Sequence, residues 1–166
     1  GDGVPVGVPV ADPKLGPHGP ELSGAGVALT LVQAVGTRLG FPEVWRTLTD
    51  LAMLGTVADI VPLVGPNRAL VADGIRRARI APRAGIAALA TVSGVDIAAL
   101  DTDRVAYSLA PRLNAAGRMA DPDIAVQLLL GEAPAEADVR AHALDEHNRV
   151  RQAVESDLFD AAFREM

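Results

Sequence analysis

The sequence predicts a mostly α-helical chain with the remnant of a sheet at its N-terminal end. Apolar residues recur at helical spacing in one segment after another, and Gly and Pro punctuate those segments where helices stop. Near the N-terminus, by contrast, Val6-Gly7-Val8-Pro9-Val10 alternates with period two, as a strand does. Alanine, valine and leucine fill most apolar positions and aromatics make up only 3% of the chain, so the expected core is one of closely packed helices.

Each element follows from local signals. Residues 1–21 are rich in Gly and Pro, and Pro9 restricts the alternating run to an edge strand or a strand end. Asp12-Pro13 and Gly16-Pro17 mark turns. Ser23 reads as an N-cap, with Val27, Leu31, Ala34 and Val35 at helical spacing up to Gly40 and Pro42 as a stop. Gly24, Ala25, Gly26 and Ala28 are small enough to let that helix approach a neighbour closely. A second helix is expected over Val44 to Ala58, turning Leu48, Leu51, Ala52, Leu54 and Gly55 to the core and breaking before Pro62.

Asn67 is the expected N-cap of a third helix, through Leu70, Val71 and Ile75 to Ile80, and a short helix from Arg83 to Val92 ends at Gly94. Asp101 or Thr102 opens another, running to Leu109, and Ala110 to Met119 reads as a break. Asp121 restarts the helix as N-cap with Pro122 at its first position, and Gly131 ends it. From Pro134 to Met166 the chain is charged and Ala-rich, with Leu144, Val150, Val154, Leu158 and Phe163 near helical spacing. As one helix it reaches about 50 Å. A helix that long with a narrow apolar stripe lies across a domain or links two. No internal repeat with a period of about 20 to 50 residues is visible.

Bulk properties narrow the function classes. The 166 residues, 49% hydrophobic and 22% charged, suit one domain with a real core or a compact lobe plus an appendage. The absence of cysteine excludes disulfides and thiolate metal sites, and fits a cytoplasmic protein. No apolar stretch reaches the roughly 18 residues of a membrane span, so no membrane partner is expected. The N-terminus lacks both the regions of a signal peptide and an initiator methionine, which favours a processed or excised piece. A formal charge of −6 excludes a surface that is basic all over, so any nucleic-acid binding would use a local groove.

Two segments could carry chemistry. Asp59 ends an apolar run and precedes Ile60-Val61-Pro62-Leu63; burying a carboxylate there without a partner is expensive. It is either a helix-terminal aspartate that reaches water or caps the next turn, or a hard oxygen ligand for magnesium or manganese. In Pro111-Arg112-Leu113-Asn114-Ala115-Ala116-Gly117-Arg118, two arginines flank an asparagine and several small residues. That stretch is either an ordinary loop with solvated arginines or a phosphate contact, because guanidinium forks match phosphate oxygens and small residues admit a ligand to the backbone. His18, His142 and His147 read as surface residues, and the last two, five apart, do not share a helix face. Arg76, Arg77, Arg79 and Arg83 read as a solvated face, with phosphate tracking the alternative. No nucleophile elbow, P-loop or H-E-x-x-H motif is present.

Taken together, five blocks resemble the RecJ single-stranded-DNA exonucleases of the DHH phosphoesterase family. They are Leu22-Ser23-Gly24-Ala25-Gly26-Val27-Ala28; Asp50 through Leu63, with Leu54-Gly55-Thr56-Val57-Ala58-Asp59 at its centre; Asn67-Arg68; Ala110 through Met119; and Leu144-Asp145-Glu146-His147-Asn148-Arg149-Val150-Arg151-Gln152. The blocks occur in the family's order and span nearly the whole chain.

The resemblance implies a two-metal hydrolase, using manganese or magnesium, that degrades single-stranded DNA from its 5′ end in repair and recombination. Paired metals polarise the scissile phosphate and activate water. It assigns Asp59 as the last aspartate ligand and makes Arg112, Asn114 and Arg118 candidate DNA contacts. Single-strand-binding protein and a helicase become candidate partners. Residues 1–133 would be the C-terminal part of an α/β DHH phosphoesterase domain, and residues 134–166 a long helix leading toward a second, DHH-associated domain.

The departures are as informative. No Asp-His-His motif and no His-His pair occurs anywhere in the chain; Thr30 stands where lysine is common and Ala120 where glycine is. One carboxylate does not hold two metals, so the isolated chain is expected to be inactive. With its sheet absent, the apolar face of its first helices should favour self-association. A phosphoesterase of short oligonucleotides or cyclic dinucleotides, and a non-catalytic repair scaffold of the same fold, are the alternatives.

Overall fold

A computed structural model describes Gly7, Val10 and residues 21–119 and 121–164. Of the expected strand at Val6 to Val10 only Gly7, in a turn at φ +80°, and Val10 are described, and the turns at Asp12-Pro13 and Gly16-Pro17 lie outside the described residues, as does His18. Among those described, every regular element is a helix. The chain divides into two compact units, residues 1–74 and 75–166.

In the first unit, α1 (Gly24–Arg38) is capped as expected, Ser23 Oγ accepting from the Gly26 N–H at 3.0 Å. A 3-10 segment, Val44–Leu48, leads into α2 (Thr49–Ala58), so the single helix expected over Val44 to Ala58 has a tighter first turn. The α1 and α2 helices approach closely. A Cβ at Gly55 would lie 2.5 Å from Ala25 Cβ, and Ser23 Oγ and Thr56 Oγ1 share a buried hydrogen bond of 2.9 Å. Small residues thus bring together the two helices that carry the first two sequence blocks. Ala52, Met53, Leu54 and Val57 form the core of this unit.

Helix α3 (Gly65–Ile80) starts two residues before Asn67, which is therefore not its N-cap. Asn67 is buried inside the first turn, and its Nδ2 donates to the Glu21 carbonyl at 2.6 Å and the Pro62 carbonyl at 3.0 Å. The side chain ties the entry of α1 to the exit of α2.

The second unit contains α4 (Ala84–Val92), α5 (Thr102–Arg104), α6 (Ala110–Met119), α7 (Asp123–Leu130) and α8 (Pro134–Arg164). Gly94, at φ +67°, ends α4 as the sequence indicates. Asp101 caps α5, its Oδ1 accepting from the Arg104 N–H at 2.8 Å. Asp121 Oδ1 accepts from the Asp123 N–H at 3.0 Å, although Pro122 occupies the cap position of α7.

The break expected from Ala110 to Met119 is absent. A π-helical turn, Val105–Leu109, joins α5 to α6 and keeps residues 102–119 helical throughout. Pro111 lacks an N–H, and in a regular α-helix its ring would press on the carbonyl four residues back. The wider turn just before it, closed by the Ala110 N–H on the Val105 carbonyl, relieves that conflict.

The 31 residues of α8 reach about 47 Å. Ala137, Ala141 and Leu144 are buried as α8 packs on α4, α6 and α7, whereas Val150, Val154, Leu158 and Phe163 are exposed. The stripe expected along the whole helix thus meets a neighbour only in its first half, among the described residues.

Candidate functional site

Asp59 occupies the C-cap of α2, its N–H bonded to the Gly55 carbonyl at 3.0 Å. The apolar sequence around it suggested a burial penalty, but the residue is exposed. The apolar side chains before it point inward, while the helix end delivers Asp59 to the surface. Ile60 follows at φ +54°, the one non-glycine residue with positive φ among those described. Among the described residues no group of three or more His, Asp or Glu side chains could hold a metal ion. The residues present therefore do not by themselves fit a two-metal centre; Asp59 offers a single exposed carboxylate.

The second unit carries Arg112, Asn114 and Arg118 on α6. Asn114 and Arg118, four residues apart, share one exposed helix face. Arg112 points elsewhere. Its Nε donates to Asp145 Oδ1 at 2.8 Å and its Nη1 to the Ser108 carbonyl at 2.7 Å, with the arginine side chain 17% and the aspartate 6% exposed. Arg149 holds the other oxygen, Asp145 Oδ2, at 2.7 Å. Desolvated and doubly bonded, Arg112 fastens α6 to α8.

Asp145 is the residue that sequence reasoning missed. It sits in a block quoted for its resemblance, but nothing local marks it as the partner of an arginine 33 positions earlier. One turn on, Asn148 is buried, and its Oδ1 accepts from Arg151 Nη2 at 3.0 Å. His147, expected at the surface, is half-buried, with its Nδ1 buried and without a partner among the described residues. His142 is exposed, as expected. Nor are the arginines of α3, or Arg83 at the start of α4, a free solvated face. Arg79 Nε donates to the Leu100 carbonyl at 2.7 Å, and Arg76, Arg77 and Arg83 are each engaged as well.

No protein-family profile matches the chain. Individual proteins do. The single-stranded-DNA-specific exonuclease RecJ of Bacillus subtilis is 42% identical over 142 residues, 86% of this chain and 17% of that protein. The same enzyme from Thermus thermophilus is 40% identical over 90% of this chain and 22% of its own length. That from Escherichia coli is 36% identical over 95% of this chain and 30% of its own length. The chain is homologous to the RecJ exonucleases.

Solved RecJ structures share its helical arrangement. Thermus thermophilus RecJ in complex with Mn2+ superposes with a TM-score of 0.82 at 38% identity, covering 90% of this chain and 22% of that one. The exonuclease RecJ bound to manganese gives 0.85 at 36% identity, covering 92% and 39%. The chain thus spans less than a third of the curated RecJ proteins named above. It corresponds to a helical portion of the RecJ fold, and no helix among the described residues is long and apolar enough to cross a membrane.

Proposed function

We propose that this chain is part of a metal-dependent exonuclease that degrades single-stranded DNA from its 5′ end, acting in repair and recombination in the cytoplasm. The observation that carries this reading is RecJ homology over 86% to 95% of the chain, with solved relatives that hold manganese or magnesium. Residues 1–133 belong to its DHH phosphoesterase domain and residues 134–166 to a connecting helix. Asp59 supplies one ligand for manganese or magnesium, its exposure at a helix end leaving both carboxylate oxygens accessible. Asn114 and Arg118 contact the DNA backbone from α6. Arg112, bonded to Asp145 and the Ser108 carbonyl, serves that contact by keeping α6 in place. Single-strand-binding protein and a helicase are its working partners.

With one candidate ligand among the described residues, the isolated chain should not hydrolyse single-stranded DNA. The test grafts residues 1–166 in place of the matching segment of Thermus thermophilus RecJ and follows manganese-dependent loss of a 5′-phosphorylated single strand. The graft should degrade the strand and the isolated chain should not. Asp59→Ala in the graft should abolish cleavage while leaving DNA binding within about 2-fold, since a metal ligand contributes mainly to the chemical step. An Asp59→Ala graft as active as its parent would refute the ligand role. Preference for a dinucleotide over a long strand would point to the oligonucleotide hydrolases instead.

A further inference from the structure

Tyr107 is the chain's one tyrosine, and it projects from the π-helical turn with 82% of its surface exposed. An aromatic ring held in water on a rigid helix has no role in the core. Its position supplies one. Because residues 102–119 are helical throughout, Tyr107, Pro111, Asn114 and Arg118 recur at i, i+4, i+7 and i+11 and fall in one stripe. The wide turn helps. Its wider pitch brings Tyr107 closer to line with Pro111, one turn further on. The stripe runs about 16 Å from the ring to the guanidinium-bearing residue. A Cβ at Gly117, beside Arg118, would meet nothing within 4 Å, so the helix is open to close approach there.

We infer that Tyr107 stacks on a base of single-stranded nucleic acid whose phosphates run along Asn114 and Arg118. Unpaired bases present π-faces whatever their sequence, and proteins that hold single strands combine aromatic platforms with cationic contacts to the backbone. This stripe has both parts, in a chain whose net charge of −6 makes a local track necessary. The inference rests on the reading of α6 as a DNA-facing helix and adds to it the residue that grips the bases.

The test measures binding of the 166-residue chain to fluorescein-labelled oligodeoxythymidine by anisotropy, in EDTA so that nothing is cleaved. Tyr107→Ala should weaken binding at least about 5-fold, whereas Tyr107→Phe, which keeps the ring, should stay within about 2-fold. Loss of stacking should leave the salt dependence unchanged. Arg118→Ala should also weaken binding, but reduce the slope of log K against log salt by about 0.7. With ring-13C-labelled tyrosine, the single aromatic signal should shift upfield on titration with the oligonucleotide. If Arg118→Ala weakens binding while Tyr107→Ala does not and the tyrosine signal stays in place, the stacking role is overturned and the DNA-facing helix stands. If the unsubstituted chain does not bind, or binds equally well without Asn114, Arg118 and Tyr107, both are overturned.

Discussion

Ile60 carries a β-branched side chain in the left-handed backbone region, at φ +54°, directly after Asp59. That conformation costs roughly 1–2 kcal/mol for a residue with a Cβ. Packing offsets none of it, because the side chain is 89% exposed. Backbone strain of this kind gathers at functional sites, which fits the role proposed for Asp59. Ile60→Gly should raise the urea midpoint by the equivalent of about 1 kcal/mol, and an unchanged or lower midpoint would contradict the strain argument. Arg112 invites the opposite experiment. Asp145→Ala leaves a desolvated guanidinium with only the Ser108 carbonyl, and should destabilise the fold by about 3 kcal/mol. Arg112→Ala should be milder, because Arg149 still faces Asp145. The double variant Arg112→Met/Asp145→Leu should recover much of the loss, and the urea midpoints of the three variants check all three. The sequence made the guanidinium of Arg112 conspicuous. Its destination was not legible, since a pairing across 33 residues leaves no local pattern.

Helix ends were the most readable elements. Ser23, Gly94, Asp101 and Gly131 mark termini through their own hydrogen bonds or backbone angles, and such signals are local. Pro111 misled for a physical reason. Proline breaks an α-helix, but the rule assumes α-geometry on its N-terminal side, and the π turn removes that assumption. Asn67 misled similarly: an N-cap residue type two positions inside the helix used its amide to join two other segments. How tightly elements pack was legible only as small residues, without their partners. Gly85 and Gly117 make the difference measurable. A Cβ at Gly85 would sit 2.0 Å from the Leu128 carbonyl oxygen, so Gly85→Ala forces α4 and α7 apart and should cost about 2–3 kcal/mol. Gly117→Ala meets open space on an exposed helix and should instead stabilise by about 0.5–1 kcal/mol. Thermal melts of the two variants should move in opposite directions; shifts of the same sign would mean that the close α4–α7 contact does not hold in solution.

At the scale of the whole chain, composition pointed to close-packed helices but not to how many of their faces find a partner. Helix α1 is uncharged until Arg38 in its last turn, yet Leu31 and Val35 are exposed, as are Leu39 and Phe41 beyond it. Apart from the polar stripe of Thr30, Gln33 and Thr37, the sides of so apolar a helix are normally buried. Here only the side toward the 3-10 segment and α2 is covered among the described residues, and Ala28, Leu29, Val32 and Leu51 line an open apolar groove between α1 and α2. Apolar surface left in water drives association at roughly 25 cal/mol per Å2 removed, so a contiguous face of this kind should bring chains together. Sedimentation velocity should show an average mass that rises with protein concentration. Leu31→Glu with Val35→Lys puts opposite charges on that face without removing a buried contact, and should return the chain to a monomer with its helical content intact. A monomer at every concentration before substitution would overturn association through α1.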